Sequence, residues 1–539
     1  MKRGKRITTL FAALMGGFFL CILGVLTAAF HGEELSQAAA RQSTYKLAVS
    51  RPRGDFYDCK GQKLTGRNQQ ALAAVAPTIE AAATLTNLVT GEYRTAIASA
   101  LSNGTPFLAR VPFGTESSAG IDVFSVLDRY TEDQPASNLI GYLDGKGNGA
   151  AGLERVFNSV LQLDGLLKVT YSVDASDRVV NGVEREISDN REEAEQGVVL
   201  TIDRRIQQIA EHACEDILES GAVVVTEVGT GEIKALVSLP SLHPDNIAQD
   251  LEDPDSPLIN KAFASYNVGS VFKLVSAAAA LEEGISPEYV YDCTGSIEVD
   301  GQKFKCFDGI AHGVVTMEEA IAESCNGYFV SLMQQVDPTV FLETARKLGF
   351  GQGTEFTSGF CSDAGTLPNE KSLLVKKALA NFSFGQGELT ATPIQVAAMT
   401  NTIASGGTYR DLSLIKGIVS LEDGTYNFQQ PAGEKQTVLS QKTCKLLRVY
   451  MTTAVKEGTA ASGAPKETTV AAKTGTAQTG RNSEEGEEIV QLWYTGFFPA
   501  ETPRYTVTVL RAERAGNGRE CARVFQKIAD EMESQGFLS

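Results

Sequence analysis

A chain of 539 residues, 43% hydrophobic and 21% charged, is long enough for two or three folded units and apolar enough to give each a core. Its formal net charge is −18, and the first six residues, MKRGKR, contribute four positive side chains, which leaves −22 for the rest. A body this acidic argues against binding a nucleic-acid backbone, which requires clustered Lys and Arg, so no nucleic-acid partner is expected.

Residues 7–30, ITTLFAALMGGFFLCILGVLTAAF, contain no charge. As a helix they would span about 36 Å, enough for a hydrocarbon core of about 30 Å with some tilt. The basic residues before this run, and Glu33 and Glu34 after it, place residues 1–6 in the cytoplasm and everything downstream outside. Thr27-Ala28-Ala29 could pass as a weak cleavage site, but the apolar run exceeds the ~7–15 residues of a signal core. A single-pass membrane anchor is therefore expected. Residues 31–48 read as its helical continuation. A polar, irregular stretch follows at 51–67, RPRGDFYDCKGQKLTGR, with Gly54 and Gly61 as turn points. Residues 68–195 mix short helices and strands, and within them 139–161 carries a glycine-rich turn feeding a helix that starts near Gly152. The charged segment 181–197 reads as an exposed hairpin or linker, and a domain boundary is expected just beyond it.

From residue 198 the texture changes. A strand ending at Thr201-Ile202-Asp203 runs into an amphipathic helix, and 221–240 reads as strand, Gly-Thr-Gly turn and strand. Ser265–Glu283 is an alanine-rich helix ended by Gly284, and 317–336 is another. Residues 468–478, 491–500 and 504–513 read as three strands before a last helix at 521–534, with no further C-terminal module expected after it. The expected fold class is α+β, an antiparallel sheet flanked by helices. Nine cysteines are scattered without a C-x-x-C, so neither a zinc ribbon nor thioredoxin-like chemistry is indicated. Cys293 and Cys306 bracket a short hairpin around Val299-Asp300-Gly301-Gln302; a disulfide and two unpaired buried thiols are both open.

Three patterns could carry chemistry. Ser-x-x-Lys occurs as Ser43…Lys46, Ser270…Lys273 and Ser413…Lys416. On a helix, residues three apart lie on neighbouring faces, and a buried amine shifts toward the neutral form that a base requires. Taken alone, such a pair more often carries a solvated surface lysine. Ser270 stands out because it follows Gly269 and opens a helix whose N-terminal amides favour developing negative charge. The second pattern is Ser324-Cys325-Asn326 in a helix-forming stretch; the other Ser-x-Asn, Ser188-Asp189-Asn190, lies in the charged linker and reads as a solvated turn. The third is Lys473-Thr474-Gly475-Thr476, which on a strand alternates its side chains between two faces and leaves the backbone approachable at Gly475. The four histidines, His31, His212, His243 and His312, each stand alone in sequence, with His312 read as a turn residue. No metal site and no cofactor are expected.

Ser270-x-x-Lys273, Ser324-x-Asn326 and Lys473-Thr474-Gly475 occur in that order, the trio of penicillin-binding proteins and β-lactamases. Residues 198–539 resemble the penicillin-binding transpeptidase family, also through 312–326, 383–395 and 494–505. Ahead of them, RGDFYDCKG (53–61) resembles the Arg-Gly-x-x-x-Asp-Arg-x-Gly signature of the class B pedestal, and GAAGLERVFNSVL (149–161) its later Gly-x-Glu segment. Cys59 stands where that family usually carries Arg, a departure from the pattern. The segment before residue 198 is too short for a glycosyltransferase domain and lacks its acidic motif, so the resemblance is to monofunctional class B enzymes.

This resemblance implies a cytoplasmic tail at 1–6, a transmembrane helix at 7–30, a pedestal at 31–197 and a transpeptidase domain at 198–539. It implies a serine-type peptidoglycan D,D-transpeptidase acting on stem peptides and covalently inhibited by β-lactams. Ser270 would be nucleophile, Lys273 base and Ser324 proton relay, with Asn326, Lys473, Thr474, Gly475 and Thr476 binding substrate. A membrane glycosyltransferase of the SEDS type is the implied partner. A membrane-anchored β-lactam sensor and a D,D-carboxypeptidase share the trio and are the competing readings.

Overall fold

The computed structural model describes residues 2–30, 43–88, 92–180, 182–431, 433–483, 486–516 and 518–538. It divides into two compact units, one formed by Met1–Pro52, Asn68–Asp128 and Leu163–Glu193, the other by Arg53–Arg67, Arg129–Gln162 and Ala194–Ser539. The single boundary expected after residue 197 gives way to a discontinuous division. Its cause is apolar: Phe56, Leu64, Leu139, Ile140, Leu153 and Leu161 are buried in one core with Val198, Leu200, Ala222 and Val224.

In the first unit, helix Lys2–Phe30 contains Ile7–Ala29, which is long and apolar enough to cross a membrane. Of the helical continuation expected at 31–48, residues 31–42 lie outside the described residues, and the remainder is a strand, Thr44–Ser50. Tyr45, Leu47 and Val49 recur with period two, and all three pack with Val169 and Tyr171. This strand pairs antiparallel with Leu167–Ser172, which pairs in turn with Glu186–Asp189 from the charged segment. A second sheet, Phe107–Val111, Asn68–Val75 and Ile121–Asp128, shares a core with Ala81, Leu85 and Ile97 of two helices.

The second unit is built on a five-stranded antiparallel sheet in the order Ile233–Leu239, Gly221–Glu227, Tyr505–Ala515, Glu488–Phe498 and Ala471–Asn482. Helices Arg204–Cys214 and Glu520–Ser534 share one core with it. Helix Pro393–Ala404, buried along its whole length and opened by a Thr392–Gln395 capping box, packs against the central strands. Two expected helices are interrupted. Residues 265–283 begin with a short strand, Tyr266–Asn267, and a 3₁₀ turn, Gly269–Phe272, before the α-helix Lys273–Glu282. Residues 317–336 split into Met317–Ala322 and Asn326–Met333, with Ser324 between them at φ +57°.

The two segments that resemble the pedestal meet in this unit. The fully buried Glu154 accepts from Arg53 Nε at 2.7 Å, Arg129 Nε at 2.7 Å and the Tyr130 hydroxyl at 3.1 Å. Arg129 also reaches Asp55 at 3.0 Å, and Lys63 pairs with Asp55 at 2.6 Å. Asp58 closes the turn at Gly61 by accepting from the N–H groups of Lys60 and Gln62, both at 2.8 Å. Cys59 carries no charge for this network, but the neighbouring Lys60 pairs with Asp203 at 2.7 Å. Glu154→Ala would strip the largely buried Arg53 of its carboxylate partner and leave Arg129 with Asp55 alone, with an expected loss of about 3–5 kcal/mol of stability. Urea unfolding of the full chain measures it; a loss below about 1 kcal/mol would show that the carboxylate is dispensable.

Candidate active site

Three stretches of backbone meet at Gly269. It sits at φ +62°, where a Cβ would lie 2.4 Å from the Thr476 carbonyl oxygen, and its N–H donates to the Gly385 carbonyl at 2.9 Å. Gly385, at φ +82°, is equally tight: a Cβ there would lie 2.0 Å from the Gly269 carbonyl. Glycine at both positions lets the turn before Ser270, the 385 turn and the sheet's last strand close on one another. The preceding loop is sewn to the sheet as well. Trp493 Nε1 donates to Asn267 O at 2.8 Å, Asn267 N–H to Gln491 Oε1 at 2.7 Å, and Asn267 Nδ2 to Gln478 O at 3.0 Å.

On this platform Ser270 is half-exposed in the 3₁₀ turn, and Lys273 opens the following helix wholly buried. Lys273 Nζ lies 3.0 Å from Ser270 Oγ, 3.0 Å from Ser324 Oγ and 2.6 Å from the Ser324 carbonyl. Burial pushes the amine down to about 7, against the opposing pull of the Cys325 and Cys306 thiols. Near neutral pH a large fraction of Lys273 is thus an uncharged amine bonded to a hydroxyl, the condition for general-base activation.

On the strand Ala471–Asn482, Lys473, Gly475 and Ala477 are buried while Thr474 and Thr476 are half-exposed, so lysine and threonines occupy opposite faces. Lys473 Nζ donates to the Thr474 carbonyl at 3.1 Å, and burial, reinforced by the Lys273 charge, holds its pKa well below the ordinary range. Thr474 Oγ1 lies 3.0 Å from Thr459 Oγ1. The space left by Gly475 is taken from within: a Cβ there would meet Trp493 Cβ and Val271 Cγ2, each at 3.1 Å. Asn326 begins the helix after the break and donates through Nδ2 to the Lys305 carbonyl at 2.8 Å.

The remaining sequence candidates lie elsewhere. Ser43, Lys46, Ser188 and Asn190 belong to the first unit, where Asn190 Oδ1 accepts from the Leu166 N–H at 3.0 Å. Lys416 faces Glu232 at 4.0 Å. His31 lies outside the described residues, and exposed His212 is 3.9 Å from Glu215. Two histidines read as solitary have partners after all: His243 Nδ1 is 2.7 Å from Asp250 Oδ1, and His312 Nδ1 is 3.4 Å from Cys293 Sγ. Cys293 and Cys306 are not bonded, their sulfurs lying 3.6 Å apart. Sequence reasoning left Gly385, Thr459 and the anchoring Trp493 without roles, although 383–395 had entered as a stretch of resemblance.

A serine–lysine pair at the head of a buried helix, beside the last strand of a five-stranded antiparallel sheet, defines the class of proteins that includes penicillin-binding proteins and serine β-lactamases. The model of the penicillin binding protein transpeptidase domain matches residues 221–530, and the chain belongs to that family. It is 31% identical over 438 residues to penicillin-binding protein PbpB of Mycolicibacterium smegmatis, covering 75% of this chain and 64% of that one. The chain thus spans less than two thirds of that relative's length. Among solved structures, penicillin-binding protein 3 of Mycobacterium tuberculosis complexed with aztreonam superposes with TM-score 0.65 at 22% identity, over 92% of this chain and 98% of that one. A structure described as showing coordination of polymerization and crosslinking by a peptidoglycan synthase complex has TM-score 0.66 at 24% identity, with 97% of each chain covered.

Proposed function

We propose that this protein is a monofunctional class B peptidoglycan D,D-transpeptidase that works through a Ser270 acyl-enzyme. One observation carries the reading: a wholly buried Lys273 amine, lowered to about 7, lies 3.0 Å from the Ser270 hydroxyl. Neutral Lys273 takes the Ser270 proton as Oγ attacks the carbonyl of the penultimate D-alanine in a stem peptide. The terminal D-alanine departs with a proton delivered from Lys273 through Ser324, whose Oγ is 3.0 Å from the amine. An amine of a second strand then attacks the ester, and its proton passes through Lys273 to Ser270 Oγ, which leaves as the free hydroxyl. The N–H groups of Ser270 and Thr476 hold the oxyanion, supported by the close approach of Gly269 to Thr476.

The half-exposed Thr474 and Thr476 meet the substrate carboxylate, and Lys473 contributes from the buried face of the same strand. Gly475 lets that strand lie against Val271 beneath the nucleophile, and Asn326 orients the peptide amide. β-Lactams acylate Ser270 because they mimic the D-Ala-D-Ala end. Residues 1–6 are cytoplasmic, 7–30 span the membrane, 31–197 supply the pedestal, of which 53–67 and 129–162 pack into the second unit, and 198–539 act outside the cytoplasm. A SEDS-type membrane glycosyltransferase is the proposed partner, supported by the structural likeness to the synthase complex.

The test supplies the full chain in detergent with a stem peptide and an acceptor amine and measures D-alanine release beside amide product. Amide formation is expected. Release with hydrolysis alone would make it a D,D-carboxypeptidase, and penicillin labelling without any release would make it a sensor.

A further inference from the structure

Four side chains that the proposed reaction does not use converge next to it. Cys293 ends the strand Tyr291–Cys293, whose pairing with Gly313–Val315 sets Cys293 opposite Gly313 and so brings the preceding His312 beside it. Cys306 directly follows the hairpin Ser296–Val299 and Gln302–Lys305. Cys325 lies in the break between the two helices, at the middle of Ser324-Cys325-Asn326. Cys293 and Cys306 sulfurs are 3.6 Å apart, Cys306 and Cys325 sulfurs 3.8 Å, and Cys293 Sγ and His312 Nδ1 3.4 Å. All four donor atoms lie within 4.8 Å of one another; the cysteines are buried and His312 is half-buried.

We propose that Cys293, Cys306, Cys325 and His312 bind one Zn²⁺ in a closed Cys₃His site. A tetrahedral zinc, with Zn–S about 2.3 Å and Zn–N about 2.0–2.1 Å, requires S···S edges of about 3.8 Å and S···N edges of about 3.6 Å. The three separations above fall within about 0.2 Å of those edges, whereas a disulfide would need its sulfurs at about 2.05 Å. Soft sulfur donors with an imidazole in tetrahedral array select zinc over magnesium or calcium. On binding, the three thiols release their protons to solvent and coordinate as thiolates, while His312 coordinates through neutral Nδ1. Four protein ligands fill the coordination sphere, so the ion is structural and takes no part in the chemistry.

Its place in the fold gives it a task. Ser324 holds a left-handed φ of +57°, a conformation that a residue with a side chain keeps only when its surroundings enforce it. On one side Lys273 bonds both the hydroxyl and the carbonyl of Ser324. On the other, the metal would clamp the adjacent Cys325 to the 293–313 hairpin region. Asn326 Nδ2 already bonds the carbonyl of Lys305, the residue before Cys306, so a separate contact joins the same two segments. Zinc would therefore position the Ser324 break against Lys273.

The test is metal analysis of the full chain, purified in mild detergent without chelator. About one zinc per chain is expected, falling at least about tenfold in Cys306→Ser and in His312→Ala and unchanged in Cys444→Ser, whose buried thiol lies outside the cluster. Because a ligand variant can fail to fold, wild-type protein produced with Co²⁺ gives a second readout: intense visible bands of tetrahedral cobalt and a near-ultraviolet thiolate-to-cobalt band. Wild-type zinc below about one tenth per chain with no cobalt bands, or a Cys293–Cys306 disulfide found by mass, overturns the proposal. Metal content is read without turnover, so its failure and a failure of crosslinking are distinguishable.

Discussion

Ser270→Ala is expected to abolish covalent labelling by a fluorescent penicillin and, with it, D-alanine release. The expectation follows from geometry rather than from the serine alone. Ser270 is half-exposed, follows a glycine pressed against Thr476, and has its hydroxyl 3.0 Å from a buried amine. The other hydroxyl on Lys273, Ser324 Oγ at 3.0 Å, lies in a strained break, and its assigned task is to pass a proton. Without Oγ at 270 no ester can form, so the loss is complete. Intact mass checks it: wild-type protein gains one β-lactam adduct, and Ser270→Ala gains none. An adduct on the variant, mapped to Ser324 or any other residue, would show the nucleophile to be misassigned.

Lys273 yields the second large effect, through both rate and pH. Removing the base with Lys273→Met should slow acylation about 10²–10⁴-fold. In the wild type the acylation rate should follow the neutral fraction of an amine with pKa about 7. It rises about tenfold per pH unit below 7 and levels above about 8. A rate that falls as pH rises through this range would exclude lysine as the base. Stability has the opposite beneficiary. The native amine is neutral between about 7 and 10.5 while the unfolded lysine is protonated, so the unfolded state binds more protons there and stability increases with pH. The cost of burying Lys273 is thus complete at and below about pH 7 and fades toward 10.5. Lys273→Met should raise the urea midpoint most at pH 6–7, and an equal shift at pH 10 would contradict burial as the cause.

The chemical core of the site was legible because it is written in short contiguous patterns. Ser270 and Lys273 are three residues apart at a helix start, and the periodicity of 471–478 correctly put Lys473 and Gly475 on one face and the threonines on the other. That same periodicity did not reveal that Lys473 faces inward or that Val271 fills the gap at Gly475. The helix expected over 317–336 is broken at Ser324, since helix propensity summed along the stretch carries no trace of the contacts Lys273 makes there. Thr44–Ser50 is a strand because Tyr45, Leu47 and Val49 find Val169 and Tyr171, partners far along the chain. His312 looked solitary for the same reason: its cysteine neighbours come from three separate segments.

Residue identities at fixed short spacing, and one long uncharged run, determined by themselves the family, the serine–lysine pair proposed to react and the apolar helix. Local covalent spacing and hydrophobic transfer are properties that neighbouring residues carry with them. Tertiary structure alone decided that the Lys273 amine is buried, that segments 53–67 and 129–162 join the second unit, and that three thiols and an imidazole share one small volume. Burial and long-range distance arise only when remote segments pack together, and no stretch of chain contains that information alone.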